Sequence, residues 1–330
     1  MDKNLYIMLD MLTLQKRKSR VNYKSFQSKD VFRCFKVKRH LRSKLHTTWM
    51  VIALMIVILL PIFLGIGLYV KSAMLLREQS LFELLFSSDW RPLAGKFGFL
   101  TFIISSLWVT VISLLIAGPI CLLTSIHLTQ YAKNWVLKVM HPVIDILAGI
   151  PSVIFGVWGI LIIVPFISDY LAPLLGKQSS GYSILAGGIV LAVMIIPFIL
   201  NILIDVFRTL PDELKEASLS LGTTKWQTIK LVLVRKAFPG IISAFGLGVS
   251  RAFGETIAVL MVVGNVTTIP KGLFQPGYPL PALIANNYGE MLSIPLYDSA
   301  LMLAALVLFV VVMLFNLGSR YAITRIEEME

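Results

Sequence analysis

At 330 residues, 57% of them hydrophobic and only 15% charged, the chain is too apolar for a water-soluble domain and reads as a polytopic membrane protein. Its net charge of +12 would suit a nucleic-acid binder, but residues 1–46 alone hold 13 Lys/Arg against 3 acids. The excess is therefore a basic arm, and the remainder of the chain is nearly balanced. Two cysteines, Cys34 and Cys121, lie in or near inner or intramembrane segments and argue against a disulfide framework.

The arm, with Lys16-Arg17-Lys18 and Lys36-Val37-Lys38-Arg39, is too long and too weakly apolar for a secretory signal peptide. It reads as a disordered extension through residue 46, held near anionic lipid headgroups. No recognised nucleic-acid-binding motif occurs in it, so no nucleic-acid partner is expected.

Six apolar windows are long enough to span a bilayer: about Trp49 to Tyr69, Gly98 to Ile126, Val143 to Ile167, Ser183 to Ile204, Gly240 to Val263 and Ser299 to Leu317. The fold class is thus all-α, a bundle of six transmembrane helices. With the N-terminus inside, the inner segments hold 23 Lys/Arg and the outer loops 6, which puts both termini in the cytoplasm. The resulting divisions are residues 1–46 (tail), 47–97 (first span and outer segment), 98–319 (core) and 320–330 (C-terminal tail).

The first span has Trp49 and Tyr69 at its ends as interfacial anchors, and the following outer segment contains LFELLF, a short surface helix at Leu81 to Phe86. Ser105, Ser106, Thr110 and Ser113 mark the second span as a bundle helix. In the third, Gly149, Pro151 and Gly156 should bend the helix or open its backbone, as a structural kink or as part of a gate. PALIANNYGE, after the fifth span, suggests a short re-entrant or surface helix; the sixth, uncharged, reads as peripheral packing.

Between the fourth and fifth spans the chain turns polar. A helix can start at Thr209 with Pro211 in its first turn and Asp212 and Glu213 against the positive end of its dipole. It stops at Gly222, and Thr224 with Gln227 reads as a capping box opening a second helix. Leu214, Ala217, Ser218 and Leu221 share one face, which suits either a connector covering the inner end of the bundle or a helix lying in another protein's groove.

The fifth span carries two charges, Arg251 and Glu255, four apart on one helical face. A charge near mid-span costs about 2.5 to 3.5 kcal/mol on insertion scales, so it normally meets a partner or a wet path. Glu255 is the expected partner, either in a structural ion pair or holding the Arg251 fork until an anion arrives. A guanidinium can donate two hydrogen bonds to a tetrahedral oxyanion and stays charged.

The order Glu216-Ala217-Ser218, three residues, Gly222, nine residues, then Val232-Leu233-Val234 resembles the EAA loop of ABC-transporter permeases. Ser218 stands where that pattern has its second alanine, and Arg235 where it has proline. Together with SLGTTKWQTI, SRAFGETIAVLMVVGN and GIPSVIFGVWG, the chain from about Gly98 to Leu317 resembles the phosphate-specific permeases, the PstC-type subunit in particular. The resemblance implies a MetI-like importer core and ATPase docking through Glu216, Ala217 and Gly222. It also implies a substrate path at Arg251, Glu255 and Asn265.

No G-x-x-x-x-G-K-[ST] loop occurs, so the chain is expected to bind no ATP and no cofactor of its own. The resemblance implies ATP and Mg on a PstB-type ATPase dimer, a PstA-type permease partner and a soluble PstS-type protein delivering inorganic phosphate, in the inner membrane of a prokaryote. An ion-coupled anion carrier or channel is the competing reading, as is an importer permease for another oxyanion. A membrane enzyme is disfavoured: no H-E-x-x-H or G-x-S-x-G occurs, and His40, His46, His127 and His141 lack ligand spacing.

Overall fold

The computed structural model describes residues 28–289 and 294–327. Eleven helices organise them: α1 (Ser28–Glu78), α2 (Leu81–Phe86), α3 (Leu100–Tyr131), α4 (Asn134–Gly149), α5 (Ser152–Leu174), α6 (Ile184–Arg208), α7 (Asp212–Ser220), α8 (Lys225–Gly254), α9 (Ile257–Val262), α10 (Leu280–Asn287) and α11 (Pro295–Glu327). Six stretches among them are long and apolar enough to cross a membrane: His46–Glu78, α3, α5, α6, α8 and Pro295–Arg325.

The chain divides at Leu64/Gly65 into two compact units. Of the first, the described residues are helix alone, the N-terminal part of α1. Residues 28–46 are thus helical where composition suggests a disordered arm, and residues 1–27 of that arm lie outside the described residues. The remainder of α1 and every other element form the second unit.

Within that second unit α6 is the central post. It packs along α3, α4, α8 and α9, burying Leu191, Ile195, Ile199 and Leu203 against Val109 and Ile112 of α3 and Ile241 and Ala244 of α8. From Ile184 to Leu200 the helix is apolar on every side and mostly buried, as suits the middle of a bundle rather than its rim. The outward face of α5 stays exposed and apolar (Ile154, Leu161, Phe166, Tyr170, Leu174), as suits contact with lipid or another membrane subunit.

Two predicted spans change when built. The third does not run from Val143 to Ile167: α4 ends at Gly149, Ile150 and Pro151 are extended, and the spanning helix is Ser152–Leu174. Pro151 has no N–H to give a continuing helix and biases Ile150 toward extended backbone, so the expected bend is a complete break. Downstream, π-helical turns at Gly159–Ile163 and Ile167–Leu171 each precede a proline, Pro165 and Pro173, whose missing N–H the wider turn accommodates. The fifth is also broken, at Glu255, and its last part is the separate helix α9.

At the end of the bundle opposite α7, Trp90 of a two-strand ribbon (Trp90–Arg91 with Lys96–Phe97) meets Phe97, Phe99, Phe102 and Tyr297 at 4.9–5.9 Å between ring centroids. The surface helix expected from LFELLF is α2, which buries Leu84 and exposes Phe82 and Phe86. The short helix expected at PALIANNYGE is α10. It is tied into the bundle because Ser105 and Ser106 of α3 accept hydrogen bonds from the N–H groups of Tyr278 and Leu280, at 3.1 and 2.9 Å. The sixth span is α11, and it continues through residues assigned from composition to a C-terminal tail.

Candidate functional site

The polar hairpin and the broken fifth span are joined by α8, whose 30 residues reach about 45 Å at 1.5 Å per residue. At its start, α7 begins at Asp212 with Pro211 in the capping position; Thr209 closes α6 rather than opening α7. Pro211 therefore sits just outside the helix, where its fixed φ and extended ψ turn the chain between α6 and α7. Gly222 lies in the left-handed region at φ 77°, where a Cβ would be strained, and the capping box of Thr224 and Gln227 is formed on both sides.

The shared face expected for Leu214, Ala217, Ser218 and Leu221 is divided. Ser218 turns inward and is buried, while Leu221 is 85% exposed. The inward turn has a chemical cause: the hydroxyls of Ser218, Thr223 and Thr228 form a closed triangle of hydrogen bonds at 2.9, 3.0 and 2.9 Å. The Thr223 hydroxyl also donates to the Ser218 carbonyl at 2.8 Å and so accepts within the triangle, and the group satisfies three polar side chains under the turn and clamps α7 to α8. Glu216, Ala217, Leu221 and Trp226 remain on the outside, without cover from the other described residues.

At the far end of α8, the helix stops at Gly254 because Glu255 is extended (φ −74°, ψ 128°). The i,i+4 geometry required to pair Arg251 with Glu255 is thereby lost, and no ion pair forms between them among the described residues. Glu255 instead accepts a hydrogen bond from the N–H of Ala258 at 3.3 Å, which caps the first turn of α9. Arg251 is exposed and lies over the Phe198 ring of α6, its Cζ 4.7 Å from the ring centroid. The guanidinium is held by an aromatic face and makes no hydrogen bond or ion pair among the described residues, which leaves its N–H donors to a ligand. Phe198 escaped the sequence reading because a phenylalanine in an apolar helix carries no local sign of which neighbour it will meet.

Asn265 sits past the end of α9, in a turn with Gly264. Its φ is 53°, its side-chain amide donates to Leu260 O at 2.9 Å, and its buried Oδ1 has no partner. No hydrogen bond or ion pair links it to Arg251 or Glu255 among the described residues. Gly149 ends α4 and Pro151 precedes α5, and both lie at the break already described. Gly156 has a packing role: a Cβ there would come within 2.5 Å of Met261 Sδ and 3.3 Å of Ala258 Cα, so the glycine lets α5 lie directly on α9.

A membrane bundle with a clamped polar hairpin, a long rod and a helix break at an exposed arginine has known relatives. The family described as binding-protein-dependent transport system inner membrane component matches residues 121–327. The chain belongs to that family. The permease is 42% identical over 269 residues to the probable ABC transporter permease protein YqgH of Bacillus subtilis, covering 81% of this chain and 84% of that one. It is 35% identical over 274 residues to the phosphate transport system permease protein PstC of Xylella fastidiosa, covering 79% and 83%.

Among solved structures, a bacterial alginate ABC transporter matches with a TM-score of 0.58 at 17% identity, over 92% of the permease and 98% of that chain. The inward-facing MetNI methionine ABC transporter matches with a TM-score of 0.51 at 19% identity, over 67% and 93%. At such identities these show a shared fold, which is that of importer permeases. The permease is a multi-pass membrane subunit and not itself an enzyme, and membership of the family implies a separate ATPase and a substrate-binding protein as its partners.

Proposed function

We propose that this chain is the PstC-type permease of an ATP-driven phosphate importer. The supporting observation is the set of PstC relatives, 33–35% identical over 74–86% of the chain in several bacteria. The exposed Arg251 at the helix break suits the chemistry, because a guanidinium fork matches the oxygens of a tetrahedral oxyanion and is not neutralised at any physiological pH. Glu255 and Asn265 act at the same level by holding α9 and its following turn, and Gly149, Pro151 and Gly156 set the mobile joint between α4, α5 and α9.

In this reading both termini and the α7 hairpin are cytoplasmic, as the basic residues favour. The partners are a PstA-type second permease, a PstB-type ATPase dimer carrying ATP and Mg, and a PstS-type phosphate-binding protein outside. The outer face of α7, with Glu216, Ala217 and the turn at Gly222, docks on the ATPase. Closure of the motor moves the clamped hairpin as a unit, and α8 carries that motion to Arg251, which switches the bundle between two states.

The test is radiolabelled phosphate uptake by vesicles containing the full transporter, with sulfate and molybdate as competitors. Uptake that needs the binding protein and ATP, and that only phosphate competes, is expected. Competition by sulfate or molybdate at equal concentration would overturn the substrate. Uptake driven by an ion gradient without ATP would overturn the importer reading.

A further inference from the structure

Below Arg251, the least buried side of α6 turns polar. Phe198, Asn201, Asp205 and Arg208 follow one another at helical spacing, while Ile199, Leu203, Ile204 and Phe207 on the other sides are buried. The facing residues of α4 complete a chain of contacts. Asn201 Nδ2 donates to Asp145 Oδ1 at 2.9 Å, the other oxygen of Asp145 lies 3.9 Å from His141 Nδ1, and His141 Nε2 lies 3.5 Å from Arg208 Nη1. Asn201 Oδ1 is buried and unpartnered. At the foot of the stripe, Thr129, Gln130, Arg208, Asp212 and Lys215 border a hollow of about 220 Å³.

Polar and ionised side chains on a membrane-crossing helix turn away from lipid and toward a partner or water. The contacts within the chain do not use these groups up: Asp145 is 61% exposed, and Asp205 and Arg208 are exposed as well. Phe198 to Arg208 is ten residues, about 15 Å along the axis, the distance from mid-span to the end of the helix. The two guanidiniums, Arg251 over Phe198 and Arg208 at the foot, thus mark the two ends of one polar strip.

We infer that this strip is the inner half of the translocation path. An oxyanion released by Arg251 descends along Asn201 to Arg208 and leaves through the hollow beside α7. Asp145 and Asp205 are carboxylates on the way. Their repulsion prevents the anion from resting between the two arginines, and Asp145 is itself held by Asn201 and faced by His141. Asn201, Asp145 and Arg208 are positioning residues of the path.

This inference rests on the reading of Arg251 as an oxyanion-path residue, and its test measures water rather than substrate. Asn201→Cys and Asp145→Cys, each in a Cys34→Ser, Cys121→Ser background, are treated with anionic, membrane-impermeant sulfonatoethyl methanethiosulfonate in inside-out vesicles carrying the full transporter. Leu161→Cys, on the exposed apolar face of α5, is the control. A thiol reacts as thiolate and needs water to ionise, so labelling at 201 and 145 should be at least about tenfold faster than at 161, and phosphate should slow it.

Either variant that stays in the complex decides the matter, and equal rates at 145 or 201 and 161 would overturn the path. The two readings fail separately. Labelling at 201 and 145 with no phosphate uptake by right-side-out vesicles of the Cys34→Ser, Cys121→Ser parent would sink the substrate and keep the path, and uptake by that parent with no labelling at either position would do the reverse.

Discussion

The two ends of α8 solve opposite problems. At its start, the hairpin is closed by chemistry inside one short stretch: the hydroxyl triangle of Ser218, Thr223 and Thr228, the Thr224/Gln227 capping box and the left-handed Gly222. At its finish, the break at Glu255 depends on distant elements, because α9 is seated on α5 and α6 and Arg251 rests on Phe198. The first end is built to move without changing shape. The second is held by contacts that another arrangement of the helices could exchange, which is where a two-state bundle needs its joint.

Arg251→Ala should have the largest effect. Uptake is expected to fall to background while the complex still assembles, because the arginine is exposed and its cation–π contact is worth only about 0.5 to 1 kcal/mol. Normal uptake by that variant would remove the path from this end of α8.

Gly156→Val comes next. It would push a side chain against Met261 and Ala258 and overpack the joint by about 1 to 3 kcal/mol. The expected result is lower thermal stability and slower transport; a neutral outcome would mean that α5 and α9 do not stay in contact during the cycle.

Gly222→Val sharpens the other side of the comparison. A β-branched residue at φ 77° costs about 1 to 2 kcal/mol or more, and the reshaped turn should weaken capture of the ATPase in a pull-down. Unchanged capture would count against docking through this turn.

The smallest effect belongs to Ser218→Ala. Removing one corner of the hydroxyl triangle leaves Thr223 and Thr228 bonded to each other and should cost about 0.5 to 1.5 kcal/mol, read as a small fall in melting temperature with assembly intact. A loss of several times that size would show the triangle to be the main clamp between α7 and α8.

How far each end was legible follows from the same contrast. Apolar run length determined the number of spans and their rough places, because crossing a bilayer demands about 20 apolar residues wherever the helix packs, but not the breaks at Pro151 and Glu255. Local backbone chemistry determined the turn at Gly222, the capping box and the surface helix at Leu81–Phe86, since every interaction involved lies within a few residues. The resemblance carried by the EAA-like spacing and the GETIAV stretch is equally local, and the match over residues 121–327 agrees with it.

Tertiary structure alone decided the rest. Arg251 and Glu255 are four residues apart, but whether they meet depends on the helix continuing, and it ends because α9 packs elsewhere and takes Glu255 as its cap. Phe198 under Arg251, Asn201 on Asp145 and Arg208 beside His141 join residues 53 to 67 positions apart. Hydrophobic periodicity reports which face of a helix is apolar and carries no information on which other helix that face, or its polar gap, will meet.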